Sequence, residues 1–202
     1  MSVTAASGFA ASGVSAGIRP SGRPDVALVR SLGPAVGCAM WTRNRVQAAP
    51  VTVSRRHLGL AEPQAVVVNA GVANAATGAP GEDDARATAA RVAVRLALRP
   101  EEVVVLSTGV IGPRLPMKRL LAGVDAAAAA LSPEGGDAAA DAILTTDNGP
   151  KTAVASRASP PSGASRTTAS FVEQSPSTEI RLNDCSTTGR RKPSAARAEG
   201  SG

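Results

Sequence analysis

From Ala65 to Gly112 the chain reads AVVVNAGVANAATGAPGEDDARATAARVAVRLALRPEEVVVLSTGVIG. Two short apolar runs bracket this stretch, Ala65-Val66-Val67-Val68-Asn69 and Val103-Val104-Val105-Leu106. Runs of that length, rich in β-branched residues and without polar alternation, fit strands buried on both faces. Between them, Glu82 to Leu98 has helical spacing, with Ala85, Ala89, Val92 and Leu96 on one face. The acids Glu82, Asp83 and Asp84 suit the positive end of a helix dipole, and Pro100 stops the helix. The unit is strand, Gly/Asn loop, helix, strand. It points to an α/β protein, with an α+β arrangement as the alternative.

Working outward, Asp25 to Leu32 and Val36 to Thr42 read as strands, and Gly33-Pro34 supplies a turn that would join them as a hairpin. Leu115 to Leu131 and Asp137 to Leu144 read as helices, with Pro116 in the first turn of the former. Near residue 155 the composition changes. Residues 1–154 alternate apolar runs with Gly, Pro and Asn turns. Residues 155–202 are rich in Ser, Thr, Arg and Pro, with Phe171-Val172 as the one strongly apolar pair. Such a segment buries too little surface to offset its ordering entropy, so the expectation is a disordered tail.

The chain of 202 residues is 43% hydrophobic, but it holds only two Phe, one Trp and no Tyr. Ala, Val and Leu must therefore fill the core. The net charge is +6. A basic balance can signal nucleic acid, but the arginines are scattered and aromatic stacking platforms are nearly absent, which weighs against that partner. Cys38 and Cys185 lie in unlike contexts and His57 is the single histidine, too few ligands for a zinc site or a disulfide scaffold. The first residues carry neither a basic nor an apolar signal region, and no apolar run approaches the roughly 20 residues of a membrane helix. The expectation is a cytoplasmic protein with no membrane association.

Four motifs bear on chemistry. The loop Asn69 to Gly78 opens toward a helix but matches neither phosphate-binding fingerprint, which leaves a tight turn needing positive φ. Gly13-Val14-Ser15-Ala16-Gly17 fits the pattern of a nucleophile elbow. It lacks a buried strand before it, and His57 lies on the polar stretch Ser54-Arg55-Arg56-His57, read as a solvated surface. Ser107-Thr108-Gly109 follows a buried strand, where a hydroxyl and a glycine N–H could donate to a developing oxyanion; alone, it is more often a plain turn. Leu144 to Lys151 is a dense polar cluster that could end a helix or contact a substrate.

These pieces occur together and in order. Val3-Thr-Ala-Ala-Ser-Gly-Phe9, Gly13 to Ile18, Pro24 to Val29, Thr42 to Pro50 and Asn69 to Gly78 are followed by Ser107 to Gly112, Arg114-Leu-Pro-Met117, Leu120 to Val124 and Ala142 to Lys151. Over residues 3 to 153 the chain resembles the front, or α-chain, part of the bifunctional ornithine acetyltransferase/N-acetylglutamate synthase family. The resemblance implies mixed sheets with packed helices, and acetyl transfer from N-acetylornithine to glutamate in arginine biosynthesis. It implies ornithine as the other product and no cofactor, with acetyl-CoA as a second donor in bifunctional members. In that family the precursor cuts itself at an Ala–Thr bond, and the freed threonine attacks the acetyl group with its own amine as base. Thr108 and Gly109 match the family's oxyanion pair, and Thr145 matches a substrate-contacting threonine.

Departures qualify this. Val72 and Ala76 differ from the family's usual residues. After Val154 the resemblance stops, so the tail reads as unrelated to the family, an out-of-frame or replaced end. No residue matches the attacking threonine, and Thr167 and Thr168 are poor substitutes. The alternative to an acetyltransferase is a non-catalytic remnant, or an α-chain-like piece that assembles with a β-chain-like partner or with itself.

Overall fold

The computed structural model describes residues 2–146, 149–153, 168–172 and 178–184. The strands β1 (Phe9–Val14), β2 (Val26–Ser31), β4 (Ala65–Val72) and β5 (Val103–Val110) form one sheet in the order β1-β2-β4-β5. β4 and β5 run parallel, and β1, β2 and β4 pair antiparallel in turn. Parallel neighbours need a crossover, and the helix α2 (Gly78–Leu96) supplies it. The α/β reading therefore holds, with a mixed sheet at its centre.

The apolar runs bury both faces of this sheet. Val67, Val103 and Val105 pack with Ala85, Ala89, Val92 and Leu96 of α2 and with Leu120 and Val124 of α3 (Met117–Ala129). Val66, Val68, Val104 and Leu106 pack on the other face against Ala139 and Ala142 of α4 (Gly136–Ala142). Phe9 is the one aromatic side chain among the buried described residues, so the layers close on aliphatic groups. An Arg91 Nε–Asp125 Oδ1 bond of 2.7 Å ties α2 to α3 at the surface.

α2 begins four residues before the expected acids, so Glu82, Asp83 and Asp84 lie in its second turn and not at the dipole's end. The earlier start has a local cause. Buried Asn74 donates to the Gly81 carbonyl at 2.8 Å and accepts from the Thr77 hydroxyl at 2.8 Å, which holds the first turn. The acids serve other partners: Arg86 takes Glu82 and Asp83, and Arg114 takes Asp84 at 2.8 Å.

The expected hairpin of the second and third strands does not form. β2 already has β1 on one edge and β4 on the other, so the next strand finds no free edge there. β3 (Ala35–Trp41) leaves the sheet and shows the alternating exposure of a half-solvated strand. It pairs antiparallel with β7 (Thr178–Asp184), which pairs with β6 (Thr168–Val172). Part of the segment expected to be disordered thus supplies two strands. An unpaired edge presents unsatisfied N–H and C=O groups, and the Thr, Phe, Val and Ile of these stretches are strand formers. The rest of that expectation, and Cys185, lie outside the described residues.

Two elements escaped the sequence reading. β1 is short and rich in small residues. α1 (Ala49–Leu58), whose stretch Ser54–His57 reads as polar surface in sequence, lies along the edge strand β5. The Ser54 hydroxyl donates to the Val105 carbonyl at 2.8 Å and accepts the Val105 N–H at 2.9 Å. His57 Nδ1 is 2.8 Å from the Val103 carbonyl. Both side chains are buried, which corrects the reading of His57 as solvated. Spaced three apart on one helical face, they satisfy the backbone of an edge that has no neighbouring strand.

Ser54→Ala should lower stability by about 2 kcal/mol in urea unfolding, because it orphans a buried N–H and a buried carbonyl together. Ala76 is exposed and sits at φ 58, a region costly for a residue with a Cβ. Ala76→Gly should raise stability by about 0.5–1 kcal/mol in the same assay.

Candidate functional site

Parallel pairing carries the ends of β4 and β5 to the same rim of the sheet, in the register Asn69↔Ser107, Ala70↔Thr108, Gly71↔Gly109 and Val72↔Val110. The Ser107 hydroxyl donates to buried Asn69 Oδ1 at 2.6 Å, and Asn69 Nδ2 donates to the Val72 carbonyl at 2.8 Å. These bonds fix the strand end from the side. Thr108 and Gly109 belong to β5 itself, not to a turn after it.

The last residues of the ladder pass unusually close. Gly71 and Gly109 have φ of 112 and 131. A Cβ on Gly109 would lie 2.3 Å from the Gly71 carbonyl carbon and 2.7 Å from the Val72 nitrogen. Only glycine fits there, on space and on conformation alike. The loop Asn69–Gly78 uses positive φ as its composition suggested, at Gly71, Asn74, Ala76 and Gly78.

Backbone alternation sets which groups of β5 face the open edge. The Val105 N–H and the Val103 and Val105 carbonyls face outward to Ser54 and His57, away from β4. The Val110 carbonyl instead accepts from Ala73 N at 2.9 Å, on the inner side. Gly109, at φ 131, stands where the strand departs from that regular alternation. The same alternation puts the Thr108 side chain on the face of Val104 and Leu106, which α4 covers.

A cavity of about 250 Å³ opens at this edge. Leu106, Ser107, Thr108, Gly109 and Ile111 form one wall; Thr42, Asn44, Val46 and Gln47 with the start of α1 form the other. The second wall is held by its own short bonds: Asn44 N to Thr42 Oγ1 at 3.1 Å, Val46 N to Asn44 Oδ1 at 2.9 Å, and Gln47 Nε2 to the Thr42 carbonyl at 3.2 Å. The N-terminal residues Ala48, Pro50 and Val51 turn the positive end of the α1 dipole toward the cavity. A threonine and a glycine at a strand end and a helix N-terminus around one small space are groups of the kind that can stabilise negative charge developing on an oxygen. The volume is at the small end of ligand cavities and suits a compound of amino-acid size.

The expected site residues separate into two groups. Thr108 and Gly109 line the cavity together. Thr145 does not; it is exposed, one residue after buried Leu144. Its neighbour Asp147 lies outside the described residues. The nucleophile-elbow reading of Gly13–Gly17 fails on geometry. Asp25, fully buried, accepts N–H bonds from Ala16 at 2.6 Å, Ile18 at 2.6 Å and Arg19 at 2.9 Å. The segment wraps a carboxylate of the chain itself, and Ser15 is exposed with no helix behind it. The sequence reading missed the Thr42–Gln47 wall as part of a site. The Thr-x-Asn pattern that builds its turn was the available signal. Among the described residues, no three His, Cys, Asp or Glu side chains converge as a metal site needs.

The model of the ArgJ family matches residues 10–168, past the boundary expected at 154. The arginine biosynthesis bifunctional protein ArgJ of Streptomyces avermitilis is 52% identical over 158 residues, which are 78% of this chain and 41% of that protein. ArgJ of Thermobifida fusca is 53% identical over 148 residues, 73% of this chain and 39% of that protein. The chain thus spans about two fifths of the length of these curated relatives. Among solved structures, the ornithine acetyltransferase of Mycobacterium tuberculosis complexed with ornithine superposes with a TM-score of 0.71 at 38% identity, covering 96% of both chains. ArgJ of Bacillus halodurans superposes with a TM-score of 0.68 at 32% identity, covering 97% of this chain and 95% of that one.

Gly109→Ala should destabilise the fold by at least about 2 kcal/mol, since a left-handed residue and a backbone clash combine. Gly112→Ala, at φ 106 but in open space, should cost about 1 kcal/mol. Equal losses in urea unfolding would contradict the close approach of Gly71 and Gly109.

Proposed function

The chain belongs to the ArgJ family, and from that premise we propose that it carries the oxyanion-binding half of a site for acetyl transfer from N-acetylornithine to glutamate. The observation that carries this reading is that Thr108 and Gly109, which match the family's oxyanion pair, lie side by side on one cavity wall. Attack on the acetyl carbonyl would turn its oxygen into an oxyanion. Donors fixed beforehand by the Asn69–Ser107 bond and the Gly71–Gly109 crossing stabilise that charge without reorganising. The cavity accommodates an acetylated amino acid; of acetyl-CoA it would take the acyl end alone. Thr145, which lies outside the cavity lining, serves in this reading as a further substrate contact.

No residue among 1–202 matches the family's attacking threonine, and in this reading a β-chain-like piece docked at the cavity would supply it. Val46, Val110 and Ile111 are 77%, 61% and 68% exposed beside the cavity, and an apolar rim of this kind favours a covering partner. The second reading, a non-catalytic assembly piece, keeps the same rim and discards the chemistry.

Purified chain should form no N-acetylglutamate from N-acetylornithine and glutamate above background. Mixing it with the separately expressed C-terminal part of the Streptomyces avermitilis relative should restore turnover. In that mixture Thr108→Val should lower kcat by about 100-fold or more. A restored complex indifferent to Thr108→Val would remove the oxyanion role, and a complex that forms without turnover would favour the assembly reading.

A further inference from the structure

Arg19 is 9% exposed, and among the described residues its guanidinium bonds to a backbone carbonyl and to no carboxylate. Its Nη1 donates to the Leu144 carbonyl at 2.6 Å, and its Nη2 donates to the same oxygen. The two residues are 125 positions apart. The Arg19 stem lies across Gly71: a Cβ there would meet Arg19 Cγ at 3.0 Å. Gly71 is the register partner of Gly109. Arg19 is itself fixed from below, because its N–H is one of the three held by buried Asp25. Burial pushes the guanidinium below its ordinary pKa, Arg23 adds to this, and Asp25 opposes it.

One side chain therefore touches both parts of the site that sequence left apart. Its stem rests on the end of β4 at Gly71, beside the strand end that carries Gly109, and its head grips the residue before Thr145. Leu144 follows α4, which covers the same face of the sheet as the Thr108 side chain. We propose that Arg19 is a positioning residue that clamps the Leu144 carbonyl to the end of β4 at Gly71 and so fixes where Thr145 stands relative to the paired strand ends of β4 and β5. The proposal rests on the reading of Thr145 as a substrate contact only for its effect on binding, not for the clamp itself. A charged fork suits the task. Two N–H groups of a planar fork converging on one oxygen hold it in the guanidinium plane, a constraint that a single ammonium donor does not impose.

The full chain, with Arg19→Met and Arg19→Lys, tests this by amide hydrogen exchange and by calorimetric titration with N-acetylornithine. Exchange at Ile143–Thr146 should rise at least 10-fold in Arg19→Met and by less in Arg19→Lys, while β4 and β5 keep their protection. Affinity for N-acetylornithine should fall about 10-fold with the melting midpoint within about 2 °C of the parent. Unchanged exchange at Ile143–Thr146 would overturn the clamp. So would loss of cooperative melting in both variants, since Arg19 would then hold the whole fold. Faster exchange with unchanged affinity would leave the clamp supported and sink the substrate role of Thr145.

Discussion

The approach of Gly71 to Gly109 governs the geometry of this molecule. Two parallel strands end side by side with no Cβ between them, both in backbone conformations that side chains resist. That contact sets how far β5 extends before it turns away. It sets where the Gly109 N–H emerges and how near Thr108 lies to the facing loop. Everything that packs on the rim adapts to it: Asn69 and Ser107 brace it laterally, and the Arg19 stem fills the space that the missing Cβ of Gly71 leaves.

Much of this was legible in the residues. Continuous Val runs betray strands buried on both faces, and the spacing of Ala85, Ala89, Val92 and Leu96 betrays the helix between them, because burial on one stripe must repeat with the helical period. The glycines of the rim were visible as needs for positive φ. Pairing was less legible. Nothing local to residues 25–42 says that both edges of β2 are already taken; that fact lives in β1 and β4. His57 misled for a related reason. Arg55 and Arg56 make its surroundings look solvated, yet a helix turns every third or fourth residue inward, and Ser54 and His57 are the pair that turns.

Polar groups in the interior do the positioning. Asp25, Asn69, Asn74, Ser54 and Arg19 are each buried and each bonded to backbone far from their own element or at its exact end. An Ala- and Val-rich core interlocks weakly by shape, since small side chains offer few directional contacts. Buried hydrogen bonds supply the missing direction, because leaving one unmade in the interior costs about as much as several methylenes gain. The site is accordingly held by backbone-directed polar side chains and not by bulky packing.

The sealing of β5 by α1 has a consequence for solubility. An exposed strand edge is a template on which another chain can add itself. Ser54 and His57 occupy the Val103 and Val105 positions of that edge and leave no backbone there for an intruder. Among the described residues, no α1 side chain bonds the edge from Ser107 onward, the stretch that borders the cavity. If that stretch meets a substrate oxygen as proposed, it is also the stretch most open to unwanted strand addition, and self-association and ligand occupancy would compete for the same few amides.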